Sequence, residues 1–182
     1  MLINSNKTKE MILGKAKPDN IPYLEIDGNQ IKRVSKFKIL GLQLSNNLKL
    51  NWDCNIELIC NKMSSKLYFF KLFKWSGLLI EDLQYFYITV VRPISEYACT
   101  VWNHNLTSAL SNQLESYQKR ALRIIYGDQI KGMPYQNTLF LANLESLKDR
   151  RIKLSQSFFK KILSTNSCLH ILLPPECNNE VL

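Results

Sequence analysis

Residues 36–52 read KFKILGLQLSNNLKLNW. The first half alternates like a strand, the middle is a polar turn, and Trp52 opens a run with helical spacing. This junction divides the chain into a β-rich beginning and a helical remainder. The strand itself, Phe37 to Leu44, carries a phase slip. Phe37 and Ile39 share one parity, and Leu40, Leu42 and Leu44 share the other. A period of two cannot put both sets on one face. Either the strand is buried on both sides or it bends near Gly41, where a bulge is easy.

Upstream, Tyr23 to Ile26 and Gln30 to Val34 flank Asp27-Gly28, a two-residue hairpin signal that sets Leu24 opposite Ile31. A sheet this small must pack on something. Downstream, Trp52, Ile56, Ile59, Met63 and Leu67 keep helical spacing, and Ser76-Gly77 ends that helix. Its last turns, KLYFFKLFKW, are apolar around most of the circumference, which predicts burial from more than one side. A second stripe runs Leu83, Phe86, Tyr87, Val90, Ile94, Tyr97, Ala98, Val101, with Thr89, Arg92, Glu96 and Asn103 opposite; Pro93 should kink or restart it. A third runs Leu106, Leu110, Leu114, Tyr117, Ala121, Ile124, Ile125, with Lys119, Arg120 and Arg123 on the outer face and Gly127-Asp128 at its end.

A short helix is predicted over Tyr135–Leu141 and a final one over Leu147–Leu163, with Leu147, Leu154, Phe158 and Ile162 on one side. Arg151 shares the angle of Leu147 and Leu154, so it should snorkel or meet a buried carboxylate. The expected fold is α+β, mainly α: a small N-terminal β-meander or hairpin and a bundle of about five helices. The expected divisions are 1–48 (β-rich), 49–166 (helical) and 167–182, a tail with Pro174-Pro175 that should fray.

The chain has 182 residues, 46% hydrophobic, enough for a core and too apolar for general disorder. The formal net charge of +9 favours a polyanionic partner, nucleic acid before an anionic membrane, over an inert basic surface. Five cysteines without a CxxC pair suit a reducing compartment and no disulfide framework. The start, MLINSNKTKE, lacks the apolar stretch of a signal peptide, and no apolar run is long enough to span a membrane. The expectation is an intracellular protein, cytoplasmic or nuclear, not secreted.

Chemistry-bearing motifs are sparse. No serine or cysteine lies at a recognisable nucleophile motif, and the six glycines form no phosphate loop. Cys168, His170 and Cys177 match no common zinc spacing and lack a fourth ligand, so no metal site is expected. No Asp-Asp pair is present for two-metal phosphoryl transfer, and Asp53 reads as a partner of a helix N-terminus. Basic residues recur as Lys7/Lys9, Lys32/Arg33, Lys36/Lys38, Lys62/Lys66, Lys71/Lys74, Lys119/Arg120/Arg123 and Arg150/Arg151/Lys153, with Tyr68, Phe69, Trp75 and Tyr85 among them. Such interleaving suits a phosphate backbone with stacked bases, although most of the aromatics also fit core stripes.

The order of short motifs resembles the C-terminal part of a reverse transcriptase from a non-LTR (LINE-like, jockey-type) retrotransposon. The carriers are Ile3-Asn4 with Lys7-Thr8-x-x-Met11, Lys38-Ile39-Leu40-Gly41, Leu50-Asn51-Trp52, Pro93-x-x-Glu96-Tyr97-Ala98 with Val101-Trp102, Gln118-Lys119-Arg120-Ala121-Leu122-Arg123, and Leu147-x-x-x-Arg150-Arg151. They span nearly the whole chain; each alone is weak and the ordered set is fairly specific. The resemblance implies a piece of an RNA-directed DNA polymerase: the end of the palm with its primer-grip strand, the thumb, and a following helical region. It implies that Lys38 and Gly41 line a primer terminus and that Lys62 or Lys66 tracks a duplex. Lys7 matches a motif whose lysine assists nucleotide or pyrophosphate chemistry, or is an exposed strand residue. Lys119, Arg120 and Arg123 join them as nucleic-acid contacts. The family's catalytic carboxylates should lie upstream of Ile3. The chain alone is therefore expected to hold no catalytic residue or Mg2+ and to lack polymerase activity, as a truncated element copy or partial gene would. Its expected partners are a primer–template duplex or RNA and the missing palm and fingers. The alternative is an independent helical module that binds nucleic acid or protein and has no enzymatic activity.

Overall fold

The computed structural model describes residues 4–13, 21–46, 52–164 and 166–174. Ile3, the Leu50-Asn51 pair, Pro175 and Cys177, which figure in the sequence reading, lie outside them. The architecture is mainly helical with short N-terminal strands, as the sequence predicts.

The Asp27-Gly28 hairpin forms. β2 (Glu25–Ile26) and β3 (Asn29–Gln30) pair antiparallel around a turn with φ of 49° and 71°, both left-handed as a type I′ turn requires. The Ile31 N–H donates to the Leu24 carbonyl at 2.8 Å, in the predicted register. β4 (Lys32–Arg33) then runs parallel to β1 (Lys9–Glu10), and Arg33 Nε pairs with Glu10 Oε2 at 3.0 Å.

Residues 37–44 are not one bent strand. They form a second hairpin, β5 (Lys36–Ile39) and β6 (Leu42–Ser45), around Leu40-Gly41. Phe37 faces Leu44 and Ile39 faces Leu42, so these four share one face, and Leu40 sits in the turn, 86% exposed. The phase slip is the turn itself, a pair of residues that reverses the chain. It was hidden because leucine, not Asn or Asp, occupies a position with φ of 46°. Leu42 and Leu44 pack on the helical core, and the Gln43 N–H donates to Asn55 Oδ1 at 3.1 Å.

α1 (Asp53–Trp75) buries Ile56, Ile59, Met63, Leu67 and Phe70 and packs most extensively against α5 (Ser108–Tyr126). Its last turns are covered on one side only. Phe70 and Phe73 meet Phe86, while Tyr68 and Trp75 stay 62% and 78% exposed.

The second stripe shifts phase. α2 (Ile80–Phe86) passes through a π turn at Tyr87–Val91 into α3 (Arg92–Glu96), with the Arg92 N–H donating to the Tyr87 carbonyl. A π turn uses more residues per revolution than the 3.6 of an α-helix. The buried line therefore steps by four, Leu83, Tyr87, Val91, Ser95, and Tyr97 and Val101 face out instead of in. Pro93 falls in the first turn of α3, the restart expected of it. The chain breaks at Ala98 (φ 49°) before α4 (Cys99–Trp102).

α5 buries Leu114, Gln118, Ala121, Leu122 and Ile125, ends at Gly127, and leads to α6 (Tyr135–Leu141) and α7 (Leu147–Ile162), close to the predicted bounds. On α7 the buried side is Leu147, Arg151 and Ser155, and Phe158 is 42% exposed. Arg151 neither snorkels nor meets a carboxylate. It is fully buried, its Nε donates to Asn103 Oδ1 at 3.1 Å and its Nη2 to Ser111 Oγ at 2.9 Å. Its guanidinium lies 5.8 Å from the Trp102 ring. Among the described residues, no helix is long and apolar enough to cross a membrane.

Candidate nucleic-acid interface

Described residues from four of the ordered motifs meet in space as joints. The Tyr97 hydroxyl donates to the Leu40 carbonyl at 2.6 Å, pinning the β5–β6 turn to the end of α3. A Cβ at Gly41 would sit 3.1 Å from Tyr97 Cε1, and φ there is 87°, so only glycine fits without displacement. Glu96 binds Arg150 of α7 and lies 3.4 Å from Arg92 on its own helix. Gln118 donates to the Glu145 carbonyl at 2.9 Å and accepts the Leu147 N–H at 3.0 Å, fixing the start of α7. Glu115 accepts the Leu147 and Lys148 N–H groups and the Tyr135 hydroxyl at 2.5 Å. Burial first, and that carboxylate second, push the Tyr135 phenol well above its ordinary range. Burial likewise raises the Cys60 and Cys99 thiols, which keeps them protonated.

The eight predicted contact residues do not form one surface. Gly41 and Lys62 line a common cleft of about 290 Å³ with Asn55, Pro93, Ile94 and Tyr97. Lys66 stands one turn beyond Lys62 on the same helix, exposed. Ser64 points toward α5, where its hydroxyl meets Tyr117 at 3.2 Å. Lys62 is two residues away, roughly 200° around the helix, and so is directed away from α5. Lys38 pairs with Gln43 on the hairpin face opposite Leu42 and Leu44. Lys7 lies in an exposed turn before β1, where its N–H binds Asn4.

The second surface is on α5. Lys119 and Arg123 line a groove of about 680 Å³ with Asp128, Lys131, Gly132 and Tyr135. Lys119 Nζ lies 4.7 Å from the Tyr135 ring, and the Arg120 guanidinium lies 5.4 Å from the Tyr117 ring. Among the described residues, Lys62, Lys66, Lys119, Arg120 and Arg123 enter no ion pair. They are exposed point charges suited to phosphate oxygens. Lys131 and Tyr135 escaped the sequence reading. Lys131 stands alone in a loop without periodicity, and Tyr135 reads simply as the start of a short helix.

Among the described residues no group of His, Cys, Asp and Glu could hold a metal. His170 instead sets Nδ1 3.2 Å from the Ile162 carbonyl oxygen. Compared with protein-family descriptions, curated proteins and solved structures, the chain finds no match.

Proposed function

We propose that this chain is a non-catalytic part of a non-LTR retrotransposon reverse transcriptase, the end of the palm with its thumb-like helices, and that it binds a primer–template duplex or RNA. The support is the set of exposed cations on α1 and α5 that no carboxylate among the described residues engages, with Lys62 beside the glycine turn. Cations left unpaired cost little in water and are ready to replace counterions on a phosphate backbone. The ordered motifs support the family reading. In this reading Tyr97 holds the Leu40-Gly41 turn at a fixed distance from Lys62, as a grip on a strand end needs.

The test is binding to a labelled primer–template duplex and to single-stranded RNA across a salt series. Affinity should fall steeply with salt. Neutralising Lys62, Lys66, Arg120 and Arg123 should flatten the slope by about 0.9 per lost phosphate contact on duplex. A folded chain that binds neither, or binds equally well after neutralisation, sinks the proposal. One observation favours a second reading, an independent protein-interaction module: Tyr68, Trp75, Leu79 and Tyr85 are each more than 60% exposed around the end of α1. Binding to a protein that barely responds to salt would favour it.

A further inference from the structure

The buried Arg151 has an effect on the surface beside it. A pocket of about 390 Å³ is lined by Asn103, His104, Ser108, Ser111, Asn112 and Lys148, with Leu106 and Ile152 forming an apolar side. Asn103 and Ser111 are the two residues that accept from Arg151. Each has donors and acceptors to offer in principle. The guanidinium occupies Asn103 Oδ1, which leaves the amide NH2, and it occupies Ser111 Oγ, which turns the hydroxyl proton away from the arginine. Lys148 and the Asn112 amide stand exposed at the rim. Among the described residues no carboxylate lines the pocket.

The guanidinium behind this wall is incompletely hydrogen-bonded. Arg151 is fully buried, and its Nη1 has no hydrogen-bond partner. Glu115 and Glu96 both act on it electrostatically, but neither carboxylate hydrogen-bonds to it: the Glu115 oxygens are taken by Tyr135 and by the Leu147 and Lys148 N–H groups, and Glu96 binds Arg150. A buried guanidinium whose hydrogen bonds go to neutral oxygens polarises those groups and leaves their donor ends for another partner. The pocket is open, rich in donors, and backed by that cation.

The geometry points to an anion site here for a phosphate group, monoester or diester, with the attached sugar against Leu106 and Ile152. Asn103, Ser111, Asn112 and Lys148 supply the donors, and Arg151 orients the first two without touching the ligand. The site is separate from Lys62, Lys66 and the α5 groove, and it stands even if the chain binds no nucleic acid.

The experiment is a two-dimensional NMR titration of the full chain at constant ionic strength. The probes are inorganic phosphate, a nucleoside 5′-monophosphate, and a short oligonucleotide without terminal phosphates, with chloride as the control. Saturable shifts of the Asn103, Ser111 and Asn112 signals are expected with phosphate. A response to the monophosphate identifies a monoester site, and a response to the oligonucleotide identifies a diester site. Lys148→Gln and Asn112→Asp are changes at exposed positions and should leave the spectrum otherwise folded. Each should weaken binding, Asn112→Asp by at least about ten-fold because it sets a carboxylate in the pocket. No saturable shift with any probe, equal shifts with chloride, or undiminished binding in Asn112→Asp would overturn the inference. Binding here without duplex or RNA binding would keep it and remove only the broader reading.

Discussion

The joint around α7 and the outer faces of α1 and α5 use the same residue types for opposite ends. At α7, Arg150 is spent on Glu96 and Arg151 on Asn103 and Ser111. On α1 and α5, Lys62, Lys66 and Arg123 are exposed and enter no ion pair among the described residues. A basic residue therefore says little until its partners are known. Of these five, the two nearest the core hold helices together, and the three on the outer faces are free to bind.

The sharpest break of this contrast is at Arg151. Arg151→Ala leaves a cavity and strips Asn103 Oδ1 and Ser111 Oγ of their donor. It should cost about 3 kcal/mol or more, read as the shift of a urea unfolding midpoint at constant slope. Arg151→Met keeps much of the volume and removes the buried charge, so it should recover a good part of that loss. If the alanine variant unfolds at the same urea concentration as the parent, Arg151 is not a joint. A smaller effect is expected at Glu96. Glu96→Gln removes its charge from both Arg150 and Arg92, whose side chains are 28% and 17% exposed. The pairs are only partly screened, and the loss should be about 1–2 kcal/mol in the same measurement.

Much of the bundle was legible because it obeys one period. The apolar line of α1 and the outer cations of α5 follow from spacing of three and four residues, and α6 falls where a short helix was expected. The π turn at Tyr87–Val91 broke that rule, and nothing in YITVV announces it. The Leu40-Gly41 turn was hidden for a different reason. Its left-handed leucine is held by Tyr97, 57 residues away, and a local signal cannot show a distant partner. The candidate cations were half legible. Their exposure on α5 follows from the wheel, but that Lys62 shares a cleft with Gly41 depends on how α3 and the hairpin meet α1.

That tertiary hold makes the third prediction. Tyr97→Phe removes one hydrogen bond at a residue that is 56% exposed, so the global cost should stay near 1 kcal/mol or below. The local effect should be larger. Amide exchange of the β5–β6 ladder should speed up while exchange in α1 and α5 holds. A uniform change across the chain would mean that Tyr97 supports the whole bundle and not the turn.

The smallest effect on stability is expected where the effect on binding is largest. Lys62→Gln and Lys66→Gln sit on the exposed face of α1, outside every ion pair among the described residues. Exposed, unpaired lysines contribute little to folding, so the unfolding midpoint should not move measurably. Their worth lies in counterion release, which scales with the number of phosphates met and not with the packing of the protein. The double variant should therefore fold like the parent and lose close to two units of salt slope on duplex DNA. Arg150→Gln offers the converse, a change at an arginine already engaged by Glu96, with lower stability and an unchanged slope. If the two variants behave alike in both measurements, partner occupancy does not separate structural from binding cations in this chain.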